Sequence, residues 1–391
     1  MSHPCHRILL VESDTQLIDQ IFELSEQVEA FRLQILKASD TAALDSLLEH
    51  YEFSLAVVNV QRLPPERSLN DLCIRFHPKP VLALVPDLDA AHLLSGLRAG
   101  ASDIYSYRCL NYEAQAFVAT LSRLLSRAAQ LEAAHRYRES LERSLDELRE
   151  DQMAAQQVQQ NLLPAKLQSI GGVSFAYDLT PSLVLSGDFV DVAPLDDHLT
   201  LFYLADVSGH GASSALVTVL LKNMTNRVLR AHQRDTPLSE LSPASTLYVL
   251  NRELLDTGLG KHFTIFAGIL DARNSTLKYA VGGHHPMPVL NQGGEARFLT
   301  GRGMPVGLFD EPFFDEHELH LADTFSLTLF SDGVLEVMAK EGSLDKREER
   351  LRELVAAGVV MPDDLLESVL GSASCPDDIA ILTLYRGALD A

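Results

Sequence analysis

Acidic residues recur in this sequence where the chain enters or leaves an extended apolar run. Ser186-Gly187-Asp188-Phe189-Val190-Asp191 is the first such station. Ala205-Asp206-Val207-Ser208-Gly209-His210-Gly211 follows an apolar run directly, as does Phe330-Ser331-Asp332-Gly333-Val334-Leu335-Glu336, and Pro376-Asp377-Asp378-Ile379-Ala380 precedes the last run. Carboxylates at strand ends are placed to converge on one edge of a sheet, and hard divalent cations take such oxygen ligands. Glycines beside them let backbone and phosphate approach closely. One Asp-Gly pair is ordinarily a turn. Four stations in one region point instead to metal-assisted chemistry.

The elements that must position these residues can be read from apolar periodicity. Thr200–Val207, Thr264–Leu270, Leu277–Val281, Met287–Leu290, Phe325–Phe330 and Ile379–Tyr385 read as strands, with helices around 212–232 and 243–256. That mixture predicts an α+β layered β-sandwich over residues 164–391. Residues 1–128 differ: the short apolar runs Ile8–Val11, Ile35–Ala38, Leu55–Val60 and Val81–Val85 alternate with amphipathic segments. Runs of that kind, buried on both faces and separated by helices, predict an α/β doubly wound parallel sheet. Between them, Asn111 to Leu163 contains neither Gly nor Pro. A three-four spacing through Leu131, Ala134, Arg138, Leu141, Leu145, Leu148, Gln152, Ala155, Gln159 and Leu162 predicts a helical coiled-coil linker over 129–163, ended by Pro164, and hence a homodimer.

Composition bounds the rest. The chain has 391 residues, 46% of them hydrophobic, enough for more than one core. Formal net charge is −22, of which residues 164–391 carry −14. An excess of this sign repels a phosphate backbone and argues against nucleic acid as a partner. The four cysteines, Cys5, Cys73, Cys109 and Cys375, show no metal or redox spacing. With no apolar run near 18 residues and no signal-like start, the expectation is a cytoplasmic protein without a membrane partner.

Taken together, the acidic stations resemble the SpoIIE/RsbU branch of metal-dependent (PPM-type) protein serine/threonine phosphatases. Gln157 and Gln160 with Asn161-Leu162-Leu163-Pro164, the turn Gly283-His284-His285-Pro286 and the loop Gly303-Met304-Pro305-Val306-Gly307 carry further likeness. The resemblance implies two divalent cations, Mn²⁺ or Mg²⁺. Asp206 would bridge them, the Val207 carbonyl would join one, and Asp188, Asp332 and Asp377 would complete the pair. Asp188 and Asp206 are thus the expected catalytic residues, and Asp191 and Asp378 are outer ligands or ligands of a third metal. It also implies hydrolysis by activated water without a phosphoenzyme. His210 would be a general acid or a loop cap. His284 and His285 belong to the turn motif and are not read as zinc ligands.

Residues 1–128 resemble a response-regulator receiver through Ile8-Leu9-Leu10-Val11-Glu12-Ser13-Asp14, Val57-Val58-Asn59-Val60 and Ala99-Gly100-Ala101-Ser102-Asp103. The phosphoacceptor position carries Asn59, whose amide is not a nucleophile. Ser13, Val85 and Tyr107-Arg108 stand where the family has other functional residues, so a pseudo-receiver is implied. The whole is similar to RssB-type response regulators. That likeness implies a phosphatase acting on a phosphorylated STAS-domain anti-sigma-factor antagonist, in control of a stress sigma factor. The alternative it leaves open is an adaptor that binds the sigma factor and delivers it for proteolysis.

Overall fold

The computed structural model describes residues 5–209, 211–235, 241–370 and 375–387. The chain divides into two compact units, 1–146 and 147–391.

The first unit alternates β1 (Cys5–Val11), α1 (Thr15–Glu26), β2 (Arg32–Ala38), α2 (Thr41–His50), β3 (Leu55–Asn59), α3 (Leu69–Phe76), β4 (Val81–Val85), α4 (Ala90–Arg98) and β5 (Asp103–Ser106). The strands are parallel in the order 2-1-3-4-5, a doubly wound order. Every residue of β3 and β4 is buried, because helices cover both faces. One face packs Ile8, Leu10, Val57 and Leu84 on α1 and on Phe117, Leu121 and Leu125 of α5 (Ala114–Leu162). The boundary between these compact units falls inside α5, within the segment 129–163. Glu132 on its earlier part accepts a hydrogen bond from Ser54 of the first unit, whereas Leu162 packs in a core of the second.

The second unit follows as β6 (Leu167–Ile170), β7 (Val173–Thr180), β8 (Asp188–Pro194), β9 (Leu199–Val207), α6 (Ala212–Asp235), α7 (Pro243–Asp256), β10 (Phe263–Asp271), β11 (Thr276–Gly282), β12 (Val289–Gln292) and β13 (Glu295–Phe298). It ends with β14 (Glu316–His320), β15 (Phe325–Phe330), α8 (Gly333–Val337), α9 (Leu344–Ala356), α10 (Pro362–Leu370) and β16 (Ile379–Arg386). Two antiparallel sheets form, in the orders 14-11-10-9-8 and 13-12-15-16-7-6. Their inner faces interdigitate through Phe175, Phe202, Phe266, Leu327 and Leu382. The outer face of the first sheet buries Phe189, Tyr203 and Ala205 under α6 and α7. The outer face of the second buries Phe330, Ile379 and Ile381 under α8, α9 and α10. The unit is therefore a helix–sheet–sheet–helix sandwich, and each sheet alternates its apolar residues between an inner and an outer core.

Strands β6, β7 and β8 are not among those expected from periodicity. β6 alternates exposed and half-buried positions at a sheet edge, and β8 opens on the acidic station itself. Among the described residues, no helix is long and apolar enough to cross a membrane.

Candidate active site

Strand pairing creates the site. Asp188 is the first residue of β8 and Asp206 the last but one of β9, and the antiparallel register sets the two directly opposite each other. Facing residues of such a ladder have their Cβ atoms only about 5 Å apart, so like charges there oppose each other. From the other sheet, the end of β15 is tied to the start of β16 by Ser331 N–H to the Ala380 carbonyl (2.9 Å) and Ala380 N–H to Ser331 Oγ (2.8 Å). That junction carries Asp332 and Asp377 to the same end of the sandwich.

The electrostatics express the crowding. Burial, then Asp206, then Asp378 and Asp332 push the Asp188 carboxyl well above the usual range, with a smaller opposing effect from the Ser331 hydroxyl. Asp206 is pushed up to about 7 by burial and by Asp332, Asp377, Asp378 and Glu336. Asp332 is raised by burial and Asp377, against the Gly333 N–H and His285, which lower it. One oxygen of buried Asp188, Oδ2, has no hydrogen-bond partner. A buried carboxylate oxygen without a donor is costly, and hard oxygen donors in like-charged company suit a divalent cation. Asp188, Asp206, Asp332 and Asp377 are oxygen donors of that kind at this end of the sandwich. They are gathered rather than closed: among the described residues, no three side chains form a finished cation cage.

Asp378 does different work. Its Oδ1 accepts from Ser182 N–H (2.7 Å) and Ser182 Oγ (2.8 Å), and its Oδ2 from Gly187 N–H (2.6 Å). It therefore ties the loop before β8, in one sheet, to the start of β16, in the other. The approach is tight. A Cβ at Gly333 would lie 2.0 Å from the Asp378 carbonyl oxygen, and one at Gly187 3.1 Å from the Val207 carbonyl oxygen.

The structure does not bring Asp191 to this group. Three residues beyond Asp188, it points to the other face of β8, where both its oxygens bond Lys222 Nζ (2.6 and 2.7 Å). His210 lies outside the described residues. His284 is buried in the core near Phe266, and burial pushes its imidazole down to about 3, which keeps it neutral.

Two contributors escape a reading of the sequence. Glu336, one helical turn after Asp332, is raised by burial, Asp377 and Asp332, so it belongs to the acidic group. Its i+4 spacing was the available signal. Gln159 reads as a polar interruption of the coiled-coil seam. It is instead buried, donating to the Ser186 carbonyl (2.7 Å) and Thr218 Oγ1 (2.9 Å) and accepting from Ser186 N–H (3.2 Å). α5 thus grips the peptide two residues before Asp188. No local pattern marks that contact.

In the first unit, Asn59 ends β3 and donates to Glu12 Oε2 (2.6 Å), while Ser13 N–H and Asp14 N–H donate to Glu12 Oε1 (2.7 and 2.8 Å). Asp14 caps α1. Glu12, fully buried, is satisfied by N–H donors.

Comparison with known proteins decides the class of the second unit. Residues 196–387 match the family described as Stage II sporulation protein E (SpoIIE). Over those residues the second unit is similar to the SpoIIE family. Phosphoserine phosphatase RsbP of Bacillus subtilis is 28% identical over 160 residues, covering 40% of this chain and 38% of RsbP. Phosphoserine phosphatase RsbU of the same organism is 23% identical over 247 residues, covering 61% of this chain and 71% of RsbU. Protein IcfG of Synechocystis is 24% identical over 262 residues, covering 59% of this chain. The match spans only 40% of IcfG and 38% of RsbP. Among solved structures, the SiaA-PP2C domain of Pseudomonas aeruginosa superposes with a TM-score of 0.50 at 20% identity, over 63% of this chain and 98% of that domain. The fold of the unit is that of the PP2C (PPM) phosphatases.

Two measurements test the site. Gln159→Ala leaves two buried peptide groups of Ser186 unpaired, so it is expected to cost about 1–3 kcal/mol in denaturant unfolding and to lower activity. Asp188 and Asp206 are raised above their ordinary value of 3.8. The folded metal-free protein therefore holds protons that the unfolded chain releases, and its stability falls as pH rises from about 4 through about 7. Cations compete with those protons, so thermal stabilisation by Mn²⁺ or Mg²⁺ is expected to grow from pH 5 to pH 8. A cation effect independent of pH would refute the assignment.

Proposed function

We propose that this chain is a metal-dependent phosphoprotein serine/threonine phosphatase. The observation that supports this most is Asp188: a buried carboxylate facing Asp206 across the strand pair, with one oxygen that no protein donor answers. Asp188, Asp206, the Val207 carbonyl, Asp332 and Asp377 would hold two divalent cations, Mn²⁺ or Mg²⁺. When bound, such ions acidify water and offset charge on phosphoryl oxygens. The chain's own part is placement. The β8–β9 register fixes Asp188 against Asp206, Ser331 fixes Asp332 beside the start of β16, and Asp378 holds the Gly187 peptide. None of the four cysteines is needed as a nucleophile.

The substrate we favour is a phosphorylated STAS-domain antagonist of an anti-sigma factor, through which the enzyme would control a stress sigma factor. The likeness to the RsbP and RsbU phosphatases supports that choice. Regulation would come from residues 1–128, read as a pseudo-receiver whose Glu12 is occupied by Asn59 rather than available to a cation. The path we favour is α5, which carries Gln159 to the peptide before the acidic station. Leu141, Leu145 and Leu148 are about half exposed on α5 at coiled-coil spacing, which supports a homodimer through that helix.

The purified full chain is expected to release phosphate from a phosphoserine-bearing STAS protein only with Mn²⁺ or Mg²⁺. Asp206→Asn is expected to lower turnover by about 10²–10³-fold, the scale on which removing a transition-state electrostatic contact acts. Release without added metal, or undiminished in Asp206→Asn, would refute the reading. Leu141→Asp with Leu145→Asp is expected to halve the mass in light scattering, and an unchanged mass would remove the dimer.

A further inference from the structure

Val207, whose carbonyl is the one backbone group among the expected cation ligands, closes β9, and the residues after it leave the sheet. The loop that enters β10 holds two of their backbone groups. Ser208 N–H donates to the His262 carbonyl (2.9 Å), and Lys261 Nζ donates to the Ser208 carbonyl (2.9 Å). That carbonyl also accepts from Ser214 Oγ (3.2 Å), on the first turn of α6, and Lys261 Nζ donates to the same hydroxyl oxygen (3.4 Å). The packing here is close. A Cβ at Gly209 would lie 3.2 Å from Lys261 Nζ. A Cβ at Gly187 would meet the Val207 oxygen at 3.1 Å, the Gly209 oxygen at 3.2 Å and Ser214 Cβ at 3.4 Å. One small volume therefore gathers the Val207 carbonyl, the Ser208–Gly209 peptide, Ser214 and the Lys261 amine.

The company this lysine keeps is unusual for the unit. Lys166 and Lys222 each meet an aspartate, Asp178 and Asp191. Lys261 is half-buried, and among the described residues no carboxylate lies within ion-pair distance of it. Its amine binds a carbonyl and a hydroxyl instead. Moving an ammonium part-way out of water onto neutral partners is costly, and a positive charge beside a place for positive ions repels them. Both penalties are explained if the amine fixes a peptide whose direction matters. A carbonyl ligand is aimed by the dihedral angles on either side of its planar peptide. Val207 is held behind by its own N–H on the Gly187 carbonyl (3.2 Å), and ahead by the bonds to Ser208. Partners placed one step beyond a metal ligand in this way commonly set its orientation and the affinity of the site.

We propose that Lys261 is a positioning residue for the cation that the Val207 carbonyl would join. By holding the Ser208 carbonyl together with Ser214, its amine fixes the direction of the carbonyl just before it. The proposal rests on the phosphatase reading and deepens it. In this role Lys261 touches neither cation nor substrate and acts through the backbone. Its effect on cation binding is therefore opposite in sign to the effect of its charge. A lysine acting by charge alone weakens cation binding, so its removal tightens it. A lysine that only braces the loop changes the stability of the fold and leaves the affinity of the folded protein alone. A lysine that aims the carbonyl makes binding tighter, and its removal weakens it.

The test is Mn²⁺ binding to the full-length, metal-free protein by titration calorimetry, with urea unfolding of the same metal-free samples. Lys261→Met keeps the aliphatic stem and removes the amine. It is expected to weaken Mn²⁺ binding about tenfold, the lower end of what partners beyond the ligands contribute. Ser214→Ala, which removes the second donor to the Ser208 carbonyl, is expected to weaken binding in the same direction by less. Lys261→Arg keeps both a donor and the charge and is expected to bind Mn²⁺ more tightly than Lys261→Met. Unchanged affinity in Lys261→Met and Ser214→Ala, whatever the shift in urea midpoint, would make the contact a brace and overturn the proposal. Tighter binding in Lys261→Met would leave the lysine only its charge and overturn it as well. Should Lys261→Met not fold, Ser214→Ala decides: weaker binding supports the proposal and unchanged binding overturns it. A wild-type protein that binds neither Mn²⁺ nor Mg²⁺ would sink the phosphatase reading itself. A wild type that binds Mn²⁺, with a Lys261→Met that binds it equally well, would sink only this proposal.

Discussion

Two carboxylates forced to face each other across a pair of antiparallel strands are the constraint around which the second unit is arranged. Neither Asp188 nor Asp206 can turn away, because a shift of one residue in register would exchange the two faces of β8, taking Phe189 out of the core under the helices and turning Asp191 into the sandwich interior. The repulsion is therefore held by the hydrophobic cores above and below the sheet. Val190 and Val192 anchor β8 in the sandwich interior, and Phe189 anchors it under α6 and α7. The fold accepts an unfavourable electrostatic arrangement at one end because packing elsewhere fixes the geometry, as expected of a functional site.

The two units treat a buried acid in opposite ways. Glu12 in the first is surrounded by donors: the peptide N–H groups of Ser13 and Asp14 and the amide of Asn59 answer both oxygens. Asp188 in the second keeps one oxygen unanswered, and other acids surround it. The first arrangement is complete with protein groups alone. The second gains from a ligand of positive charge. This contrast between neighbouring chemistry of the same residue class gives the second unit the catalytic role in our reading and the first a role without phosphoryl chemistry.

Asp378 and Gln159 show how the site is held from outside the acidic pair. Asp378 bonds the loop 182–187 across the gap between the two sheets, and Gln159 bonds the same loop from α5. The peptide before Asp188 is thus fixed from two sides, by the last strand of the unit and by a helix that enters from before it. Any displacement of either would be felt first at Asp188, since hydrogen bonds to a buried peptide leave little room for compensation.

Sequence alone determined what depends on residue type and short-range spacing. The doubly wound first unit was legible in its short apolar runs, since strands covered on both faces are apolar throughout. The acidic stations were legible because they abut such runs. The amide at position 59, where an acid would be needed for phosphoryl chemistry, was legible as a single letter. What the tertiary structure decided depends on contacts far apart in the chain. Asp188 is linked to Asp332 and Asp378 through strand order, and nothing local distinguishes Asp378, a clamp on a loop almost two hundred residues away in sequence, from a metal ligand. Asp191, an outer or third-metal candidate in the same motif as Asp188, is put by strand alternation on the opposite face against Lys222. Gln159 looked like a flaw in a seam until the face of α5 that meets the sandwich was known. Pattern reports the period of an element, whereas only packing selects which of its faces is buried and against what.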